Sequence, residues 1–183
     1  MIEYVTGNIL HSGADALVNP VNCVGVMGKG LALQFKRAFP ENFDSYRASC
    51  ASGHLVPGKL CVQEYPRDGA SPRFIVNLPT KRHWKDKSLL EDVKVGLDAL
   101  VRFVVIEEVK SVAIPPLGCG LGGLAWPDVR ALIEAAFADM PAAFAGDPMF
   151  AGGKFLVERG TRESIEVDLE NLPDVRVLVY EPS

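Results

Sequence analysis

The sequence predicts a layered α/β domain on a mostly parallel sheet, and three features carry that prediction. Short β-prone runs alternate with segments of helical periodicity along the chain. The last run, Val175 to Tyr180, is almost wholly apolar, as a strand covered on both faces must be. The 183 residues are 48% apolar and 23% charged, a globular balance with enough chain for one sizeable core, so disordered and collagen-like architectures are excluded.

In chain order, Ile2 to Thr6 is a β-prone run closed by Gly7, and Ala16 to Asn19 is another, closed by Pro20. Leu31, Phe35, Ala38 and Phe39 keep helical spacing up to Pro40, which ends the helix. Strands follow at 59–65 and 73–78. Ser88 and Glu91 form the S-x-x-E pattern of a capping box ahead of a stripe of Val93, Leu97, Leu100, Val101 and Val104. Val112 to Pro116 is a strand ending in prolines. Pro127 suits a first helical position before Val129, Leu132, Ile133, Ala136, Phe137 and Met140. The stretch from Pro141 to Asp174 is far longer than the usual ~2–6-residue connection. Within it Phe155 to Val157 and the alternating Ile165, Val167 and Leu169 flank Arg159 to Arg162, so a β-hairpin is inserted over about 142–172 of a single domain spanning 1–183. Its carboxylates, Glu158, Glu163, Glu166, Asp168 and Glu170, make it a poor surface for DNA and place it outside any ligand cleft.

Charge and cysteine usage narrow the function classes. The net charge is −4 and the pI near 5.4, which excludes adhesion to nucleic acid over the whole surface but leaves room for a local basic patch. Cys23, Cys50, Cys61 and Cys119 show no C-x-x-C spacing, so they are expected as reduced thiols. His11 and His54 lack partners at metal-ligand spacing, and neither metal nor cofactor is expected. No apolar run approaches ~18 residues and no signal peptide opens the chain, so a cytoplasmic protein without a membrane partner is the expectation.

Two glycine-rich segments lie where a strand hands over to a helix. Gly118-Cys119-Gly120-Leu121-Gly122-Gly123 contains G-x-G-x-x-G, whose missing side chains let backbone N–H groups approach a phosphate. A dinucleotide fold is excluded by context, because the motif does not open the domain and Asp139, at the spacing of the ribose-binding acid, falls in a helix. In Asn19 to Gly30, Gly28-Lys29 resembles part of a P-loop. Cys23 replaces its first glycine and Gly30 its magnesium-holding hydroxyl, which excludes nucleoside triphosphate hydrolysis. What remains is a pliant backbone with two amides, Asn19 and Asn22, able to hold a polyhydroxylated ligand, although Asn19 beside Pro20 is equally suited to capping a turn. Lys81 follows a strand end, where α/β proteins place reacting groups, and an amine there can attack or stabilise an electrophilic carbon. The cations Arg82, Lys85 and Lys87 favour loss of its proton. Trp84 among them suits stacking on a base of single-stranded nucleic acid, and suits covering the core edge equally well.

Taken in order, Thr6-Gly7-Asn8-Ile9-Leu10, Ala16 to Asn22, Gly25 to Gly30, Asn77-Leu78-Pro79-Thr80-Lys81 and Pro115 to Leu124 resemble the macrodomains, and within them the DarG type. The resemblance implies a three-layer α/β/α sandwich with a mixed, mostly parallel sheet and a cleft for ADP-ribose at the strand ends. By the same resemblance Asn8 and Ile9 lie near the adenine, Gly28, Lys29, Gly30 and Leu31 near the ribose and phosphates, and Gly118, Cys119, Gly120, Leu121, Gly122 and Gly123 around the diphosphate, with Asn19 also at the ligand. Lys81 is then catalytic and Asn22 orients the distal ribose. Asn8 stands where many macrodomains have Asp, and Gly122 where hydrolases acting on protein carboxylates have Asp, which favours the DarG branch. The implied activity is removal of ADP-ribose from a base of single-stranded DNA, reversing a DarT-type toxin, with Thr80, Arg82, His83, Trp84 and Lys85 as DNA-binding candidates. The alternatives are a module that only binds ADP-ribose and a hydrolase of small ADP-ribose derivatives.

Overall fold

The computed structural model describes residues 1–66, 72–146, 154–158 and 164–182. Its main sheet comprises β1 (Ile2–Val5), β2 (Ala16–Asn22), β3 (Cys61–Glu64), β4 (Phe74–Lys81), β5 (Ser111–Ile114) and β8 (Arg176–Tyr180) in the order β1-β8-β5-β2-β4-β3. All neighbours are parallel except β3, which runs antiparallel to β4 at the edge. The helices are α1 (Gly30–Ala38), α2 (Pro40–Ala51), α3 (Leu90–Ile106) and α4 (Trp126–Ala138). Among the described residues no helix is long and apolar enough to cross a membrane.

Period-two alternation divides the core into two layers. On one face Ala16, Val18, Val76, Leu78, Val112, Ile114, Val177 and Val179 pack with Val93, Leu97, Leu100 and Val104 of α3 and Val129 and Ile133 of α4. On the other, Leu17, Ile75, Ala113 and Leu178 pack with Phe35 of α1 and Ile9. The predicted helical stripes and the sandwich follow from these contacts. Gly96 lets α3 approach the sheet, since a Cβ there would lie 2.8 Å from Leu78 Cδ2.

Three local expectations are corrected. Pro20 does not close β2, which continues to Asn22. Strand β5 pairs only with Ala16 and Leu17, so at Pro20 the strand has β4 as its single partner, the situation in which a residue without an N–H is tolerated. Pro40 ends α1 but also opens α2 at its first turn, a helix that apolar periodicity did not announce because it buries Asn42 and Tyr46. Ser88 does not cap: α3 begins after Leu89 without a side-chain cap, while Ser88 is buried and donates its N–H to Gly122 O (3.0 Å).

Strands β6 (Lys154–Glu158) and β7 (Ser164–Asp168) form an antiparallel hairpin. The expected turn at Arg159 to Arg162, and Glu163, lie outside the described residues. Val167 packs with Val101 and Val105 of α3 and with Ala143 and Phe144 of a short 3-10 segment, Met140–Phe144. Val101 lies eleven residues into α3, roughly 16 Å along its axis from the end nearest Lys81.

A line of buried amides joins β2, β4 and α2. Asn19 and Asn77 are register partners, and Asn19 Nδ2 donates to Asn77 Oδ1 (2.9 Å). Asn77 Nδ2 donates to Asn42 Oδ1 (2.7 Å) and to Cys61 O (3.0 Å), and Asn42 Nδ2 returns a bond to Asn77 Oδ1 (3.2 Å). Replacing Asn77 by Leu keeps the branched heavy-atom skeleton but strands the amides on both sides, each at ~1–3 kcal/mol. Urea denaturation of Asn77→Leu is expected to show a loss of about 3–5 kcal/mol, and an unchanged midpoint would remove the amide line from the account of the fold.

Candidate functional site

Five parallel strands end at the same edge of the sheet, and their following loops gather there. Strand β2 keeps its pairing with β4 to Asn22, whereas its pairing with β5 stops at Leu17 and β5 stays with β8. The carboxyl edge therefore opens between β2 and β5, the kind of topological switch at which open α/β sheets bind ligands.

On one wall, the register of β2 against β4 shifts between Val21 and Asn22, so that Val21 opposes Pro79 and Asn22 opposes Lys81. The intervening Thr80, expected as a DNA contact, is buried in this structure. Asn22 and Lys81 are thus neighbours across the ladder, ~4.8 Å apart between strands. Burial depresses the Lys81 ammonium pKa most, the Lys87 charge depresses it further, and Asp86 opposes both more weakly.

Asn22 is itself nearly enclosed. Its Oδ1 accepts from Val24 N (3.0 Å), Val26 N (3.3 Å) and the Tyr46 hydroxyl (2.9 Å), and its Nδ2 donates to Val26 O (2.6 Å). These bonds make an Asx-type turn that shapes the 23–29 loop and leave the Asn22 amide one N–H to donate. Asn19 is fully buried within the amide line, where its Nδ2 is engaged by Asn77 and its Oδ1 has no partner among the described residues. Cys23 N donates to Arg82 O and its thiol lies 3.6 Å from Lys81 O, while burial pushes the thiol pKa up to about 11. That thiol is a poor nucleophile at neutral pH.

Gly28, Lys29 and Gly30 are exposed and lead into α1. Lys29 is the N-cap without a side-chain bond, and the first turn of α1 contains no acidic residue. The first turns of α2, α3 and α4 carry Glu41, Glu91 with Asp92, and Asp128. Of these helices, α1 offers the start best suited to an anion.

The glycine loop divides its residues. Gly120, Leu121 and Gly123 are exposed, Leu121 at 68%, and among the described residues the N–H groups of Gly120, Leu121 and Gly122 donate to no backbone acceptor. Gly118 and Gly122 face inward: a Cβ on Gly122 would meet Ser88 Oγ at 2.2 Å and Gly118 O at 2.3 Å. The Cys119 thiol lies 3.7 Å from Leu117 O and packs at the core margin. Asn8 caps the turn Ile9–His11 by accepting from Leu10 N (3.0 Å), leaving its Nδ2 to donate outward. The Ile9 side chain is in the core, so only its backbone can meet a ligand.

In the loop after β4, Arg82, with its side chain 67% exposed, pairs with the buried Asp92 of α3 (3.2 Å). His83 stacks on Trp84 at 5.3 Å between centroids, and Lys85 Nζ lies 5.0 Å from the Trp84 ring centre. Trp84 remains 50% exposed, which weighs against the core-edge role. Sequence periodicity missed Tyr46, Asn42 and the Ser88 contact, because all three are polar or small groups engaged across distant segments. Among the described residues no three His, Cys, Asp or Glu side chains form a metal-binding group.

Comparison with known proteins gives this geometry its relatives. Residues 18–133 match the model of the Macro domain family. A Thermus aquaticus DNA ADP-ribosyl glycohydrolase is 50% identical over 137 residues, 74% of this chain and 38% of its own length. The chain thus spans about two fifths of the length of that curated relative. The macrodomain of Mycobacterium tuberculosis DarG superposes with a TM-score of 0.80 at 38% identity, covering 100% of this chain and 99% of that one. Thermosipho africanus DarTG, in complex with ADP-ribose, superposes with a TM-score of 0.74 at 28% identity over 99% of this chain and 41% of that one. With its sandwich, its parted β2 and β5 and its matched segment in agreement, the chain belongs to the macrodomain family.

Proposed function

We propose that this chain hydrolyses the N-glycosidic bond between ADP-ribose and a base of single-stranded DNA, reversing the action of a DarT-type toxin in the cytoplasm. The observation that carries the reading is Lys81, set opposite Asn22 at the parted strand ends with its ammonium disfavoured. A free amine adds to the anomeric carbon as the bond to the base breaks, and the base leaves with a proton. Water then cleaves the carbon–Nζ bond, releasing ADP-ribose and restoring the lysine. The names of the Thermus and Mycobacterium relatives and the ADP-ribose in the Thermosipho complex support the substrate class.

The remaining groups divide the ligand between them. The start of α1, with Gly28 to Leu31, and the unengaged N–H groups of Gly120 to Gly122 hold the diphosphate; Asn8 Nδ2 donates to the adenine. Asn22 orients the distal ribose through the loop it shapes. Trp84, with His83 and Lys85, stacks and holds the strand. The hairpin at about 142–172 is an appendage to the single domain, seated on α3 away from the cleft, and shortening it is compatible with activity.

Incubation with an ADP-ribosylated single-stranded oligonucleotide is expected to restore the unmodified strand. Binding of ADP-ribose without restoration would instead make the chain a reader module. Lys81→Ala is expected to abolish turnover while calorimetric affinity for ADP-ribose stays nearly unchanged. Because the free amine is the reactive form, kcat/KM should fall as pH drops through the lowered Lys81 pKa of the unliganded protein, with an acid limb below the range of an ordinary lysine. Lys81→Arg, which cannot deprotonate, should not rescue; full activity in that variant would exclude the nucleophile role.

Trp84→Ala is expected to weaken binding of the modified oligonucleotide by roughly tenfold, from ~1–3 kcal/mol of base stacking, and to leave free ADP-ribose binding intact. The glycine loop gives a paired test. At Gly120 a Cβ meets open space, so Gly120→Val should fold normally and lose ADP-ribose affinity; Gly122→Val should fail in stability first, by collision with Ser88 and Gly118. Thermal melts beside calorimetry separate the two outcomes.

A further inference from the structure

The loop after β4 and the glycine loop meet at two points. One is the hydrogen bond from Ser88 N to Gly122 O. The other is Lys87, whose side chain runs across Gly123: a Cβ on that glycine would lie 3.2 Å from Lys87 Nζ, 3.4 Å from Cδ and 3.7 Å from Cε. Gly123 has φ +78°, so a side chain is disfavoured there on backbone grounds too, and the flat surface is kept free for the lysine stem. The ammonium therefore ends against Gly123, the residue that follows the three glycine-loop N–H groups without a backbone acceptor among the described residues. The same loop carries Lys81 six residues earlier, and the Lys87 charge lowers the Lys81 ammonium pKa.

We propose that Lys87 is a positioning residue that links the phosphate subsite to the reacting amine: laid across Gly123, it presents a cation to the diphosphate of ADP-ribose and keeps a second positive charge beside Lys81 while that subsite is empty. The contact with the diphosphate is independent of the hydrolytic reading, whereas the effect on Lys81 as a nucleophile rests on it. When the diphosphate arrives, it pairs with Lys87 and relieves its repulsion of Lys81. Occupancy of the phosphate subsite and the proton on Lys81 are thereby coupled. The other charged or titratable groups around Lys81 do not provide this link. Asp86 opposes the effect, Arg82 is held by Asp92 of α3, the Cys23 thiol is neutral with its pKa near 11, and burial raises the Cys119 thiol of the glycine loop.

The test uses the full chain and two variants of an exposed side chain, Lys87→Met and Lys87→Arg. Calorimetry should show that Lys87→Met lowers affinity for ADP-ribose about three- to tenfold, the range of an exposed charge contact to phosphate, and leaves adenosine, which lacks the diphosphate, unaffected. In lysine-labelled protein followed by NMR, with Lys81 assigned from Lys81→Arg, the Lys81 titration should move upward in Lys87→Met and return in Lys87→Arg. Unchanged ADP-ribose affinity, or an unmoved Lys81 titration, would each overturn the proposal. Neither readout needs turnover, so absence of hydrolysis would sink the functional reading and leave this linkage standing.

Discussion

The site depends on polar groups that the fold buries and pairs with one another, leaving Asn19 Oδ1 as the acceptor of the amide line without a partner among the described residues. Asn19, Asn77 and Asn42 tie two strands to α2, and from the same helix the Tyr46 hydroxyl reaches the carbonyl and side-chain oxygens of Asn22 (2.8 and 2.9 Å). An apolar helix could slide over the sheet with little change in buried area. Amides cannot, because each displaced donor or acceptor is left unpaired in a medium that penalises it. The line therefore fixes the seat of α2, which fixes Asn22, which shapes the 23–29 loop ahead of α1. A chain of hydrogen bonds is how the interior sets the outline of the open edge.

That same device explains what sequence reasoning reached and what it did not. Elements whose buried faces are apolar are legible in the sequence, α3 from the periodicity of Val93, Leu97, Leu100 and Val104 and β8 from its continuous apolar run. Helix α2 is not, since its inward positions are Asn42 and Tyr46 and their partners lie 20 or more residues away in sequence. Pro20 and Ser88 misled for a related reason. A proline reads as a strand end, and a serine before a helix reads as a cap, unless one knows that β5 has already departed or that a glycine loop folds over the serine. At the site, the approach of Lys81 to Asn22 was implied by motif resemblance, but the register shift that sets them side by side at Thr80 is a tertiary fact.

Charge is organised on the same local scale. A chain of net charge −4 has no general affinity for a polyanion, yet the loop after β4 concentrates Lys81, Arg82, Lys85 and Lys87 within seven residues. These four cations are not equivalent. Arg82 is neutralised by a carboxylate inside the fold, Lys85 lies on the Trp84 face, and Lys87 crosses the glycine loop. Lys81 is left the most desolvated, with like charge beside it and only Asp86 in opposition. The loop thus separates a pairing cation, a stacking cation and a desolvated amine by environment rather than by residue type.

Glycine is subject to the same separation. Within one loop, Gly120 is bare because the space in front of it is open, and Gly122 because the space behind it is full. The first leaves backbone N–H groups accessible to an anion; the second lets Ser88 and the Gly118 carbonyl close the turn that aims them. A motif such as G-x-G-x-x-G combines these two requirements, which is why the pattern points to a phosphate site without showing which glycine meets the phosphate. Here the inward glycines seat the loop on the start of α3, next to the segment that carries Lys81. On the proposed reading, binding energy gathered by the glycine loop is delivered against a support shared with Lys81, and the distance between diphosphate and amine is set by backbone rather than by a mobile side chain.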